Sequence, residues 1–78
     1  MHAQELRTLV GRNILARRKE LGLSQVELAA ALQISQAYLS QIERGVRSID
    51  VDWLAVFAEK LRTSPQVLMS IEPAFAQE

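Results

Sequence analysis

Between Leu32 and Gln36 the chain leaves room for only two or three connecting residues, and both flanks read as helix. On the upstream side Ser24 is followed three residues later by Glu27, a capping-box pattern. It opens a helix over about residues 25–32, with Leu28, Ala29 and Leu32 on its inner side. Downstream, Ser35 can cap a helix over about 36–44 whose apolar side is Tyr38, Leu39 and Ile42, and Gly45 stops it. A link as short as Gln33-Ile34-Ser35 forces the two helices to cross sharply. Ala29 then sits at the closest approach, where a larger side chain would push them apart, and Ile34 plugs the corner under Leu28, Leu32, Leu39 and Ile42.

The remaining segments supply helices to pack around this corner. Leu6, Leu9, Val10, Ile14 and Leu21 recur at helical spacing ahead of Gly22, predicting a first helix over about 4–21. Asp50 caps a fourth helix in which Leu54, Phe57, Ala58 and Leu61 face inward. Ser64-Pro65 starts a fifth that runs to about Ile71, with Pro73 ending it. No apolar run has a period of two, so the expected fold is all-α: five helices in one domain over 1–78, with a core over about 4–71 and a frayed tail over 72–78. Seventy-eight residues, 49% of them apolar, permit one modest core. With no cysteine there is neither a disulfide nor a thiolate metal site, so helix packing must carry the stability.

Charge and hydropathy narrow the function. No apolar run approaches the roughly 20 residues of a membrane span. The start MHAQELRTLV lacks a basic segment followed by an apolar one, so a soluble, cytoplasmic protein is expected, with no membrane partner. The net charge of zero hides a split: residues 1–49 carry +3 and residues 50–78 carry −3. A basic half could face phosphates while an acidic half faces away, although charge alone fits an ordinary solvated surface equally well. With one histidine, His2 near the terminus, and no nucleophile–base pair or metal cluster, neither an enzyme nor a cofactor is expected.

The corner, with the flanking phrases GLSQ and IERG, resembles the helix-turn-helix of the lambda-repressor-like (Cro/repressor) DNA-binding family. The resemblance extends over about residues 10–71 and departs at Gln33, where that family often has glycine because the turn takes positive φ. On the third helix Gln36, Ala37, Ser40, Gln41 and Arg44 share the face opposite Leu39 and Ile42. A glutamine amide both donates and accepts, which suits the N6/N7 edge of adenine, and Ala37 can touch a thymine methyl. The resemblance implies base contacts by Gln36 and Gln41, with Ala37 and Ser40 as candidates, and a phosphate contact by Gln25 at the start of the second helix. Arg12, Arg17, Arg44, Arg47 and Ser48 are further phosphate candidates. Arg18 and Glu43 occupy positions where the family often places a structural ion pair.

These residues imply a sequence-specific transcriptional regulator that binds double-stranded DNA. A recognition helix of about nine residues is roughly 13 Å long and reads only a few base pairs. A homodimer on an inverted-repeat operator is therefore expected, joined through Trp53, Val56, Val67, Leu68, Ile71 and Phe75, with no small-molecule effector. The small size resembles phage repressors, controller proteins of restriction–modification systems and some antitoxins. The alternative is a protein-interaction module of antitoxin type that binds a partner protein. A long C-terminal extension would favour it, and seven residues follow Ile71. The operator, the target genes and the choice between activation and repression are not encoded legibly.

Overall fold

A computed structural model describes residues 1–71. It contains α1 (Ala3–Glu20), α2 (Gln25–Leu32), α3 (Gln36–Glu43), α4 (Val51–Lys60) and α5 (Pro65–Leu68), with no strand among the described residues. The Cα radius of gyration is 11.2 Å, close to the value of about 11.5 Å that compact chains of this length adopt.

The expected caps close the helices. Ser24 Oγ accepts from Glu27 N at 3.0 Å while Glu27 Oε1 accepts from Ser24 N at 2.8 Å, so two otherwise unpaired donors of α2 are satisfied reciprocally. Hydrogen bonds from Ser24 hold the Glu27 carboxyl below its ordinary pKa, the backbone N–H contributing most and the side chain less. Ser35, Asp50 and Ser64 accept in the same way from the backbone of Tyr38, Trp53 and Val67. At the other ends, α1, α2, α3 and α4 share one device: a left-handed residue followed by a paired 5→2 and 6→1 backbone closure. Gly22 and Gly45 supply it for α1 and α3, as expected, and Gln33 takes φ 59° after α2. Arg62, at φ 57° after α4, is the one the sequence did not announce.

The core is built on Ile14, Leu28, Leu39, Ile42, Phe57, Leu61 and Leu68, each essentially sealed from solvent. Ala29 is buried at the α2–α3 crossing, and Ile34 is half-buried against the same cluster. α1 packs on both α3 and α5, so it bridges the reading corner to the C-terminal end of the fold. Its approach to α3 is close enough to require glycine. A Cβ on Gly11 would stand 2.7 Å from the Glu43 carbonyl oxygen and closer still to that of Ile42.

The fifth helix is shorter than expected. It ends at Leu68 rather than near Ile71, because Asn13, buried on α1, donates Nδ2 to the carbonyls of Leu68 at 2.7 Å and Ser70 at 2.8 Å. Those acceptors face α1 instead of continuing the helix. Leu6 also departs from its expected place: at 41% exposure it stands on the surface although it belongs to the apolar spacing of α1.

Candidate nucleic-acid interface

The face of α3 left uncovered by the core is set by two fully buried side chains, Leu39 and Ile42, which turn the opposite side outward. On that side Gln36, Ala37 and Arg44 are exposed, and Ser40 and Gln41 are half-buried. All five residues grouped by helical spacing therefore stand on one accessible surface.

Beneath this surface a chain of polar contacts runs from Glu43, the last residue of α3, to Gln36, its first. Arg18 on α1 and Glu43 on α3 form a bidentate pair, Nε to Oε2 at 2.7 Å and Nη2 to Oε1 at 3.1 Å, and both side chains are almost wholly buried. Arg18 also donates Nη1 to the Leu23 carbonyl at 2.9 Å, which ties the pair to the loop before α2. Glu43 Oε1 accepts from Gln25 Nε2 at 2.8 Å, and Gln25 Oε1 accepts from Gln36 Nε2 at 3.3 Å. The ion pair is thus connected, through one glutamine, to the first residue of the outer face. No buried side-chain polar atom among the described residues lacks a partner.

Just beyond the C-terminal end of α3, Arg47 donates Nε to Gln41 Oε1 at 2.7 Å and lies over the Tyr38 ring, 5.3 Å from its centroid. A guanidinium on an aromatic face is held by the ring quadrupole. Tyr38 is accordingly half-buried, with one face on the core and one under Arg47.

The phosphate candidates divide. Gln25, Arg44 and Arg47 border the α3 face, but Arg17 does not serve it: Nε donates to the Leu61 carbonyl at 2.8 Å, Nη2 to that of Arg62 at 3.1 Å, and Nη1 pairs with Glu20 at 2.6 Å. Its guanidinium fastens α1 to the C-terminal end of α4. Arg12 lines a shallow depression with Met1, Gln4, Glu5, Thr8, Leu9 and Ile71, and no residue of α3 shares it. Ser48 is exposed and borders an apolar groove with Leu6, Val51 and Met69.

The expected subunit patch is also rearranged. Leu68 is completely buried in its own chain's core, and Trp53 is half-buried there with its ring edge-to-face on Phe57, the centroids 6.3 Å apart. The apolar area of Leu68 is consumed within one protomer, which removes it from the surface, whereas Trp53 stays partly exposed. Val67 is half-buried, Val56 is 38% exposed and Ile71 74% exposed, while Phe75 lies outside the described residues. Leu6, Val51 and Met69 are exposed apolar residues that the sequence pattern did not mark. Gly11 and Asn13 were missed as well; their partners lie about 30 and 55 positions away, beyond any local signal.

A short-linked helix pair with a buried ion pair beneath and an uncovered polar helix face above is the framework of a helix-turn-helix domain. Residues 14–68 match the helix-turn-helix family. The HTH-type transcriptional regulator y4dJ of Sinorhizobium fredii is 43% identical over 60 residues, covering 77% of this chain and 78% of that protein. The HTH-type transcriptional regulator PrpR of Mycobacterium tuberculosis is 39% identical over 64 residues, covering 82% of this chain, although the match spans only 13% of PrpR. Among solved structures, the clp gene regulator ClgR of Corynebacterium glutamicum superposes with a TM-score of 0.79 at 31% identity, over 82% of each chain. The chain belongs to the helix-turn-helix family of DNA-binding transcriptional regulators, of the lambda-repressor-like, XRE type. Its relatives are regulators rather than enzymes, and no helix among the described residues is long and apolar enough to cross a membrane.

Proposed function

We propose that this chain is a sequence-specific, cytoplasmic DNA-binding regulator that inserts α3 into the major groove and binds an inverted-repeat operator as a homodimer, without an effector ligand. The observation that carries the reading is the outer face of α3. Its two glutamines, Gln36 and Gln41, are each held by a hydrogen bond to a neighbouring side chain rather than left to rotate in solvent. Holding a side chain before binding lowers the entropy lost on contact. A face kept polar merely for solubility has no need of such bonds.

Base contacts fall to Gln36 and Gln41, with Ala37 and Ser40 between them. Gln25, Arg44 and Arg47 flank the face and supply phosphate contacts, Gln25 through its backbone N–H at the N-terminal end of α2, where the helix dipole favours an anion. Arg18 and Glu43 act from beneath by fixing α1, α3 and Gln25 relative to one another. Arg17 is left out of this assignment because its guanidinium is engaged at the end of α4, and Arg12 because it lines a depression that no residue of α3 shares, while the exposed Ser48 remains a phosphate candidate.

Two copies related by a dyad present their recognition helices about 34 Å apart, in successive major grooves. The exposed Val51, Val56, Met69 and Ile71 offer apolar surface for the subunit contact, on segments outside α2 and α3. Selection from a pool of random duplexes tests the whole reading. Enriched sequences should form an inverted repeat with half-site centres about one helical turn apart. An enriched site without symmetry would remove the dimer, and no enrichment at all would remove sequence-specific binding.

A further inference from the structure

The two glutamines on the α3 face are chemically identical side chains held by partners of opposite kind. A guanidinium has only donors, so the Gln41 atom 2.7 Å from Arg47 Nε is its carbonyl oxygen. The Gln41 amide nitrogen donates to no described residue and is left for the groove. For Gln36 the polarity is reversed, and it is again set by an ionised group. Glu43, as a carboxylate paired with Arg18, only accepts, so Gln25 must turn its nitrogen to it and its oxygen outward. That oxygen takes one N–H of Gln36 at 3.3 Å. Gln36 keeps its carbonyl and its second N–H, the pair of groups that matches adenine N6 and N7.

We propose that Arg47 sets the base preference of Gln41 without touching that base, making Gln41 read chiefly through its donors and so select a G·C pair while Gln36 selects A·T. The assignment rests on α3 being the DNA-reading helix, as set out above, and deepens it by giving the two glutamines different targets. Guanine offers two acceptors, N7 and O6, to the major groove, whereas adenine N6 needs an acceptor, and Arg47 takes one of the two lone pairs of the Gln41 carbonyl and fixes the direction of the amide. The guanidinium charge beside Gln41 acts in the same direction: it favours the acceptor edge of guanine and opposes the donor hydrogens of adenine N6. Stacking on Tyr38 holds Arg47 where this bond forms, so the ring is part of the same arrangement. Arg47 is a positioning residue here, and the loss of base preference is distinct from the uniform weakening that loss of a phosphate contact produces.

The test uses the full chain and duplexes selected from a random pool, with every base pair of the enriched site then varied singly. Gln41→Ala and Gln36→Ala locate the positions that each glutamine reads. The position that loses its preference in Gln41→Ala is expected to be G·C in the parent, and the one lost in Gln36→Ala to be A·T. Arg47→Met removes the donors and keeps an aliphatic chain over Tyr38. It should shift the G·C to A·T affinity ratio at the Gln41 position toward A·T by about fivefold to a hundredfold and leave the Gln36 position unchanged. An A·T pair at the Gln41 position of the parent overturns the proposal, and needs no variant of Arg47 to fold. So does an Arg47→Met variant that weakens all four base pairs there equally. If neither glutamine governs any base position, the assignment of α3 as the reading helix falls, and the polarity argument with it.

Discussion

Gly11 and Glu43 meet where α1 crosses the C-terminal end of α3, and each is irreplaceable for a different reason. At Gly11 the limit is steric: the backbone carbonyls of Ile42 and Glu43 occupy the space a Cβ would need, and backbone cannot swing aside as a flexible side chain can. Gly11→Ala should cost about 1–3 kcal/mol. A domain of this size loses about 4–8 °C per kcal/mol, so a thermal melt reads the effect directly, and an unchanged melting temperature would show that α1 stands further off. At Glu43 the limit is electrostatic. Removing its carboxylate leaves Arg18 charged and buried, and Glu43→Ala should cost about 3–5 kcal/mol. The same change releases Gln25, so at a temperature where the variant is still folded its preference at the Gln36-read base pair should also relax. A variant that melts like the parent would mean the pair contributes no net stabilisation.

The helices themselves were legible because their punctuation is local. Ser24 with Glu27, Ser35, Asp50 and Ser64-Pro65 lie within three residues of the backbone groups they satisfy, and the α2–α3 corner is defined by residues within a single short segment. Gln33 was marked by the family resemblance, which implies positive φ at this turn position, and it takes φ 59°. A non-glycine residue there is strained by about 1–2 kcal/mol. Gln33→Gly should therefore raise stability by about 1 kcal/mol in chemical denaturation; a loss would mean that the glutamine side chain contributes more than its backbone costs. What could not be read was set by distant chain. Asn13 terminates α5 from 55 positions away, and Arg17 was indistinguishable from a phosphate-binding arginine until the end of α4 was seen against it. Leu68 and Ile71 lie three positions apart in a helix-like pattern, yet one is sealed in the core and the other is 74% exposed. Only the early end of α5 separates them. On α3, spacing gave the shared face correctly but not the polarity of its amides, which depends on Arg47 and Glu43.

In the whole molecule the reading corner and the proposed subunit surface occupy different segments, with α1 packed against both α3 and α5. Ile71→Asp changes an exposed residue, so it should leave the monomer fold intact while weakening self-association; Leu68→Asp, by contrast, places a charge in the core and should unfold the chain. Sedimentation at micromolar concentration should give a two-chain mass for the parent and a one-chain mass for Ile71→Asp. A one-chain parent would require each protomer to bind its half-site alone. Whether α3 reads sequence through side chains held in advance is measured by the affinity of parent and Gln36→Ala for the selected duplex and for a scrambled duplex of equal length, at one salt concentration. The parent should prefer the selected duplex by at least about a thousandfold, and Gln36→Ala should lose about 1–3 kcal/mol on it with almost no change on the scrambled one. Equal losses on both duplexes, or a parent that does not distinguish them, would contradict that role of α3.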